Sequence, residues 1–279
     1  MSLDSIRPIR QRLRGQATSD GAGVRLTRVI GTSQMPELDP FLMLDEFGSD
    51  RPGDYIAGFP SHPHRGFETV TYMLDGRMRH KDNHGNEGLL MPGSVQWMTA
   101  GRGIVHSEMP EQDHGLMRGF QLWVNLPAKD KMGAPQYQEF AAERIPEVQE
   151  QQGVRIKVIA GRVGEVEGPV RQPATDPLYL DIALAGQARF EHAIAAGHNV
   201  FAYVYEGEAD FAGTRVGKGE LVVFGEGEGV AVSGVAGQSR LILVAGRPIK
   251  EPVARYGPFV MNTQAEIMQA VRDFQAGRF

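Results

Sequence analysis

Apolar and polar residues alternate with a period of two, or run in short apolar bursts, at Val24 to Ile30, Thr69 to Leu74, Arg155 to Ala160, Leu178 to Leu184, Asn199 to Tyr205, Leu221 to Phe224 and Leu241 to Val244. A period of two belongs to strands, whose successive side chains point to opposite faces. Gly, Asp, Asn or Pro punctuates nearly every gap, so the strands are joined by turns. This pattern predicts an all-β chain with a sandwich or barrel in each half. A helical period is clear only near the C-terminus. There Thr263 and Glu266 have the spacing of a capping box, and Ile267, Met268, Val271 and Phe274 fall on one face, which predicts a helix over 263–276 docked on the β domains.

The stretch between Pro127 and Gly153 is polar, with Gln136-Tyr137-Gln138-Glu139 and Glu147-Val148-Gln149-Glu150-Gln151-Gln152 interrupted by Pro135 and Pro146. It reads as a linker over 136–153 between domains 1–135 and 154–279. A weak repeat supports two related modules. Tyr72-Met73-Leu74-Asp75-Gly76 aligns with Tyr203-Val204-Tyr205-Glu206-Gly207 at an offset of 131, and Pro92-Gly93 with Lys218-Gly219 at an offset of 126.

The 35 glycines and 17 prolines in 279 residues fit a turn-rich fold, and the absence of cysteine excludes disulfides, thiolate metal sites and a cysteine nucleophile. A net charge of −5 gives no general attraction to nucleic acid or anionic membrane. Arg7, Arg10, Arg12 and Arg14 then read as a solvated strand or arm. Met1 to Arg7 lacks the apolar core of a secretory signal and no aliphatic run is long enough to span a bilayer, which points to the cytoplasm. The partner expected is a small molecule.

Any metal must therefore sit on His, Asp or Glu, and the histidines supply a pattern. In His62-Pro63-His64 the rings are two apart, so both project from one face of an extended segment, and His106-Ser107-Glu108 repeats that spacing. Pro63 cannot donate to a ladder, which places the first pair at an edge, a bulge or a strand start. If the two segments face each other inside a barrel, three imidazoles and one carboxylate converge. Such an N3O set suits one divalent Fe, Ni, Cu, Mn or Zn ion, and an octahedral ion would keep two positions for substrate or O2. Glu68, six residues beyond His62, is either a fifth ligand or an acceptor that orients a ligating imidazole, although Gly66 can break the parity. The repeat offsets map His62 and His64 to Ala193 and Ala195, and His106 and Glu108 to Val232 and Gly234, so the second module is expected to hold no metal. His80 and His84 read as a hairpin loop with Asn83 and Gly85, His114 as a turn, His192 and His198 as surface or structural. Asp45-Glu46 reads as structural, and Gly225-Glu226-Gly227-Glu228-Gly229 lacks the helix that a phosphate loop needs.

The segments Asp39-Pro40-Phe41-Leu42-Met43-Leu44-Asp45-Glu46-Phe47-Gly48, His62-Pro63-His64-Arg65-Gly66-Phe67-Glu68-Thr69-Val70, Gln96-Trp97-Met98-Thr99-Ala100-Gly101-Arg102-Gly103-Ile104-Val105-His106-Ser107-Glu108-Met109-Pro110 and Tyr256-Gly257-Pro258-Phe259-Val260-Met261-Asn262-Thr263 resemble the pirin family of the cupin superfamily. The resemblance runs over nearly the whole chain. It implies a bicupin of two jelly-roll domains, with one metal, usually iron, in the N-terminal domain on His62, His64, His106 and Glu108. It favours Glu108 over Glu68 as the carboxylate ligand. Bacterial pirins resemble quercetin 2,3-dioxygenases, which implies cleavage of flavonols such as quercetin with O2, release of carbon monoxide and a depside, and Glu108 as proton acceptor. The family also implies the alternative of an iron-binding regulator that modulates a transcription factor or metabolic enzyme without turnover.

Overall fold

A computed structural model of the chain describes residues 5–150 and 153–279. The secretory-signal reading of Met1 to Asp4 and the Gln151-Gln152 end of the expected linker lie outside the described residues. Nearly all regular structure is antiparallel strand, and the helix Gln264–Gln275 is the α-helix among the described residues. No helix is long and apolar enough to cross a membrane.

Residues 16–142 and 249–279 form one compact unit. Its large sheet has seven strands in the order Gln136–Phe140, Val95–Thr99, Phe67–Asp75, Met117–Asn125, Phe41–Ser49, Val24–Ile30 and Gln16–Asp20, and its small sheet runs Phe59–His64, Ile104–Pro110, Met78–Asp82, Glu87–Leu90. Val24, Leu26, Phe47 and Met73 from the large sheet pack with Met78 and Leu90 from the small one, so apolar burial holds the two layers together at about 25 cal/mol per Å² removed from water.

The second unit comprises the described residues up to Gly15 together with Glu143–Pro248. Its large sheet runs Ile9–Arg14, Glu220–Phe224, Asn199–Glu206, Gln238–Gly246, Leu178–Ala185, Val154–Ala160, Glu147–Val148, and its small sheet Arg189–Ala193, Gly229–Gly234, Glu208–Phe211, Thr214–Gly217. The two units therefore share one strand order. Tyr72 and Tyr203, paired by the repeat, lie in equivalent strands.

These units differ from the expected division at 1–135, 136–153 and 154–279. Gln136–Phe140 pairs with Val95–Thr99 and closes the edge of the first large sheet. An edge strand with one solvated side has a linker's composition, which is why it reads as one. The first strand, Ile9–Arg14, completes the other unit's sheet against Glu220–Phe224. Arg7 is buried there, not solvated, and donates to the carbonyls of His198 and Gly225. The Gly225 to Gly229 loop receives this segment, with Gly225 N–H donating to Pro8 O and Glu228 N–H to Ser5 O.

The capping box forms as expected: Thr263 Oγ1 accepts from Glu266 N–H, and the Glu266 carboxylate accepts from Thr263 N–H. Ile267 and Ala270 are the buried residues of the helix, whereas Met268 and Phe274 are 54% and 39% exposed. The buried stripe is narrower than the sequence suggests: the hairpin Ala254–Tyr256 and Phe259–Met261 covers Ile267 and Ala270, with Phe259 and Met261 against Ile267.

Candidate metal centre

His62 and His64 lie on Phe59–His64, an edge strand as Pro63 requires, and His106 lies on Ile104–Pro110 beside it. The two segments are neighbours in one sheet and do not oppose each other across a barrel. His106 pairs directly with His62, and Ile104 with His64. Cross-strand partners share a face, so the three rings gather with centroids 4.5 Å (His62 and His106), 4.7 Å (His62 and His64) and 5.0 Å (His64 and His106) apart. One ring nitrogen from each lies within 4.8 Å of the other two.

Beyond His106 the register slips, so that Glu108 pairs with Phe59. A bulge at this point changes where the following side chains aim. Glu108 is buried and lines the same cavity as His62 and His64, yet its carboxylate is not among the three mutually close donors. Its Oε1 is 2.9 Å from Thr71 Oγ1, which is also 2.7 Å from Gln121 Oε1. Thr71 has one hydroxyl proton for two acceptors. Burial pushes the Glu108 carboxyl up, and the hydrogen bond that Thr71 donates pulls the other way.

The histidine nitrogens fit a cation. Both ring nitrogens of His106 are buried without a hydrogen-bond partner, an arrangement that costs about 1–3 kcal/mol per group unless something satisfies it. Burial first, then the neighbouring imidazoles, lowers His106 to about 3 and holds His64 well below the usual histidine range. Neutral imidazoles are the form that ligates a metal.

Glu68 is not among the three mutually close donors. Gly66, at φ 86°, turns the chain out of the small sheet, and Phe67–Asp75 enters the large one. Period two then puts Glu68 on the face opposite Thr69 and Thr71, where it accepts from Thr99 Oγ1 at 2.6 Å. His80 is the second correction. It is 3% exposed, pairs across the strands with Glu108, and contacts Gln96 Nε2 at 2.5 Å and Glu139 Oε2 at 2.8 Å. His84 and His114 do lie in exposed turns.

Asp45 is structural, as expected, and also lines the cavity. It takes a bidentate pair from Arg28 at 2.9 and 2.8 Å, and Arg28 reaches Asp20 at 2.7 Å. The cavity, about 600 Å³, runs from the histidines past Trp123 and Gln121 to this charged end, a size usual for small-molecule sites.

In the second unit the pairing register places Phe190 opposite Val232 and His192 opposite Val230. Matching Val232 to His106 then makes Phe190 the counterpart of His62 and His192 that of His64, three residues from the Ala193 and Ala195 given by the repeat offset. Phe190 and Val232 are core residues, and Phe190 stacks on His192.

Comparison with known proteins bears on this arrangement. The family model described as Pirin matches residues 23–124, and that of the Pirin C-terminal cupin domain matches 179–279. A pirin-like protein of Caulobacter vibrioides is 55% identical over 275 residues, covering 98% of this chain and 99% of its own. A Pseudomonas aeruginosa protein with the provisional name quercetin 2,3-dioxygenase is 52% identical, covering 94% of each chain. A crystal structure of quercetin 2,3-dioxygenase from Acinetobacter baumannii superposes with a TM-score of 0.91 at 32% identity over 98% of both chains. Matched from end to end by such relatives and in both halves by the family's own models, the chain belongs to the pirin family and is built from two cupin domains.

Proposed function

We propose that the chain is a metal-dependent dioxygenase that cleaves flavonols such as quercetin with O2, using one divalent transition metal, iron first among the candidates, held by His62, His64, His106 and Glu108. The observation that carries this reading is the convergence of three imidazoles, one with both nitrogens buried and unpartnered, beside a 600 Å³ cavity. The names of the Pseudomonas and Acinetobacter relatives supply the reaction class.

When bound, the metal supplies a Lewis acid that favours an ionised enolic hydroxyl and a redox centre for O2. The protein's own groups do the rest. Trp123, tilted against Phe67 at 4.4 Å and edge-on to His64 at 5.3 Å, walls the cavity beside the histidines. Glu108 takes the proton from the flavonol 3-hydroxyl, and Thr71 and Gln121 fix the carboxyl for that transfer. Burial that raises the Glu108 carboxyl makes it a better base than an exposed one.

Glu108→Gln tests the assignment. The variant should keep metal on three histidines and lose about 100-fold or more of its quercetin-dependent oxygen uptake. Undiminished uptake would remove Glu108 from the reaction.

A further inference from the structure

The charged end of the cavity holds two arginines in different states. Arg28 is committed, with Asp45 and Asp20 occupying its guanidinium. Arg255 lines the same cavity, yet among the described residues none of the ion pairs within 4.0 Å includes it. Its one hydrogen bond is long, from Nη1 to Leu42 O at 3.4 Å. Glu37 and Asp45 act on it only through space, Arg28 opposes it, and Asp45 is already spent on Arg28. A guanidinium carries five N–H donors in a rigid fork. Most of those on Arg255 are unspent.

Arg255 is also oriented. Its Cζ sits 4.8 Å over the Trp123 ring, a cation–π contact that pins the guanidinium over the indole and leaves its edge free. Trp123 is the residue that also meets His64, at 5.3 Å. Arginine and imidazole thus stand on neighbours of one indole, no farther apart than those two distances laid end to end. A flat aromatic lying along this wall would have one end at the histidines and the other at the guanidinium.

We infer that Arg255 is a specificity-determining residue that receives an anionic oxygen, a carboxylate or sulfonate, at the end of an aromatic substrate remote from the histidines. The site selects anionic aromatics over neutral ones of the same shape. This rests on the cavity being the substrate site proposed above. Arg28 and the carboxylates around it form the fixed wall behind this contact. A charge-assisted, bidentate hydrogen bond here raises affinity for an anionic ligand by about tenfold or more.

The test is an anaerobic binding titration of the protein as purified, read by quenching of its tryptophan fluorescence, with 3-hydroxyflavone and its 4′-carboxylate as a matched pair. The carboxylate should bind about tenfold tighter or better to the natural chain. Arg255→Gln should abolish that preference and shift the neutral compound only a few-fold, and Arg255→Lys should retain part of it. Arg255 is exposed enough for both variants to fold, which a thermal melt verifies. The same preference in Arg255→Gln as in the natural chain, or no preference in either, would overturn the inference and leave the substrate site intact. Failure of both compounds to bind would overturn the substrate site itself and this inference with it.

Discussion

Lys131 is 1% exposed, and its ammonium donates to Gly66 O at 2.7 Å, Asn125 Oδ1 at 2.6 Å and Val260 O at 3.1 Å. It ties the turn after His64 to the returning C-terminal segment. Lys131→Met leaves three buried acceptors without this donor, and we expect a loss of about 3 kcal/mol in denaturant unfolding. Burial pushes the amine down to about 8, against an ordinary value of 10.5, with Glu251 and Glu266 pulling the other way. The folded state therefore disfavours the charged form. Below pH 8 that cost is constant. As pH rises from 8 toward 10.5 the folded protein sheds this proton before the unfolded chain does, so stability gains. Unfolding midpoints from pH 7 to 10 should rise in the natural chain relative to Lys131→Met, and parallel curves would refute the assignment. At this scale the histidine triad was legible because period two needs only local sequence. His80 was not: its turn signal, Asn83 to Gly85, begins three residues later, and its burial depends on Glu139, 59 residues away.

Among the elements, the turn at Arg65-Gly66 decides where the strand carrying His62 and His64 ends. Arg65 donates to Arg102 O and to Asp273 on the helix, and lies 4.3 Å over Phe279. A Cβ on Gly66 would stand 2.0 Å from Val260 O at a backbone angle that side chains rarely adopt. Gly66→Ala should therefore displace the His62 to His64 strand. We expect metal affinity to fall more than thermal stability alone explains, measured by competition with a chelator. Equal affinity in a folded variant would show that the turn does not position the ligands. The helix is a milder case: Thr263→Ala should cost about 1 kcal/mol through the lost cap, with metal content unchanged. Strand existence was readable from alternation. What alternation could not give was register, and it is register that makes His62 and His106 neighbours, while the Gly66 turn resets the face on which Glu68 falls.

For the whole molecule, the crossing of the chain matters most. The first strand completes the unit formed by 143–248, and residues 249–279 return to the unit that carries the histidine cluster. That return brings Arg255, Gly257 and Pro258 to the cavity wall and pairs Arg65 with Phe259. Sequence composition reads domains as contiguous, so it placed the boundary by polarity and missed both exchanges. A chain of residues 16–142 alone should fail to fold and to hold metal, whereas joining 249–279 to it should restore both, by circular dichroism and metal content. A metal-binding 16–142 fragment would contradict this.

The central claim is that the three histidines and Glu108 hold a metal at which flavonols react with O2. The most direct measurement is metal content and quercetin-dependent oxygen uptake on one preparation, compared with His62→Ala. The account predicts one transition metal per chain, oxygen consumed with quercetin and carbon monoxide released, and loss of all three in the variant. One metal per chain with no oxygen consumed would contradict it and leave the metal a regulatory role.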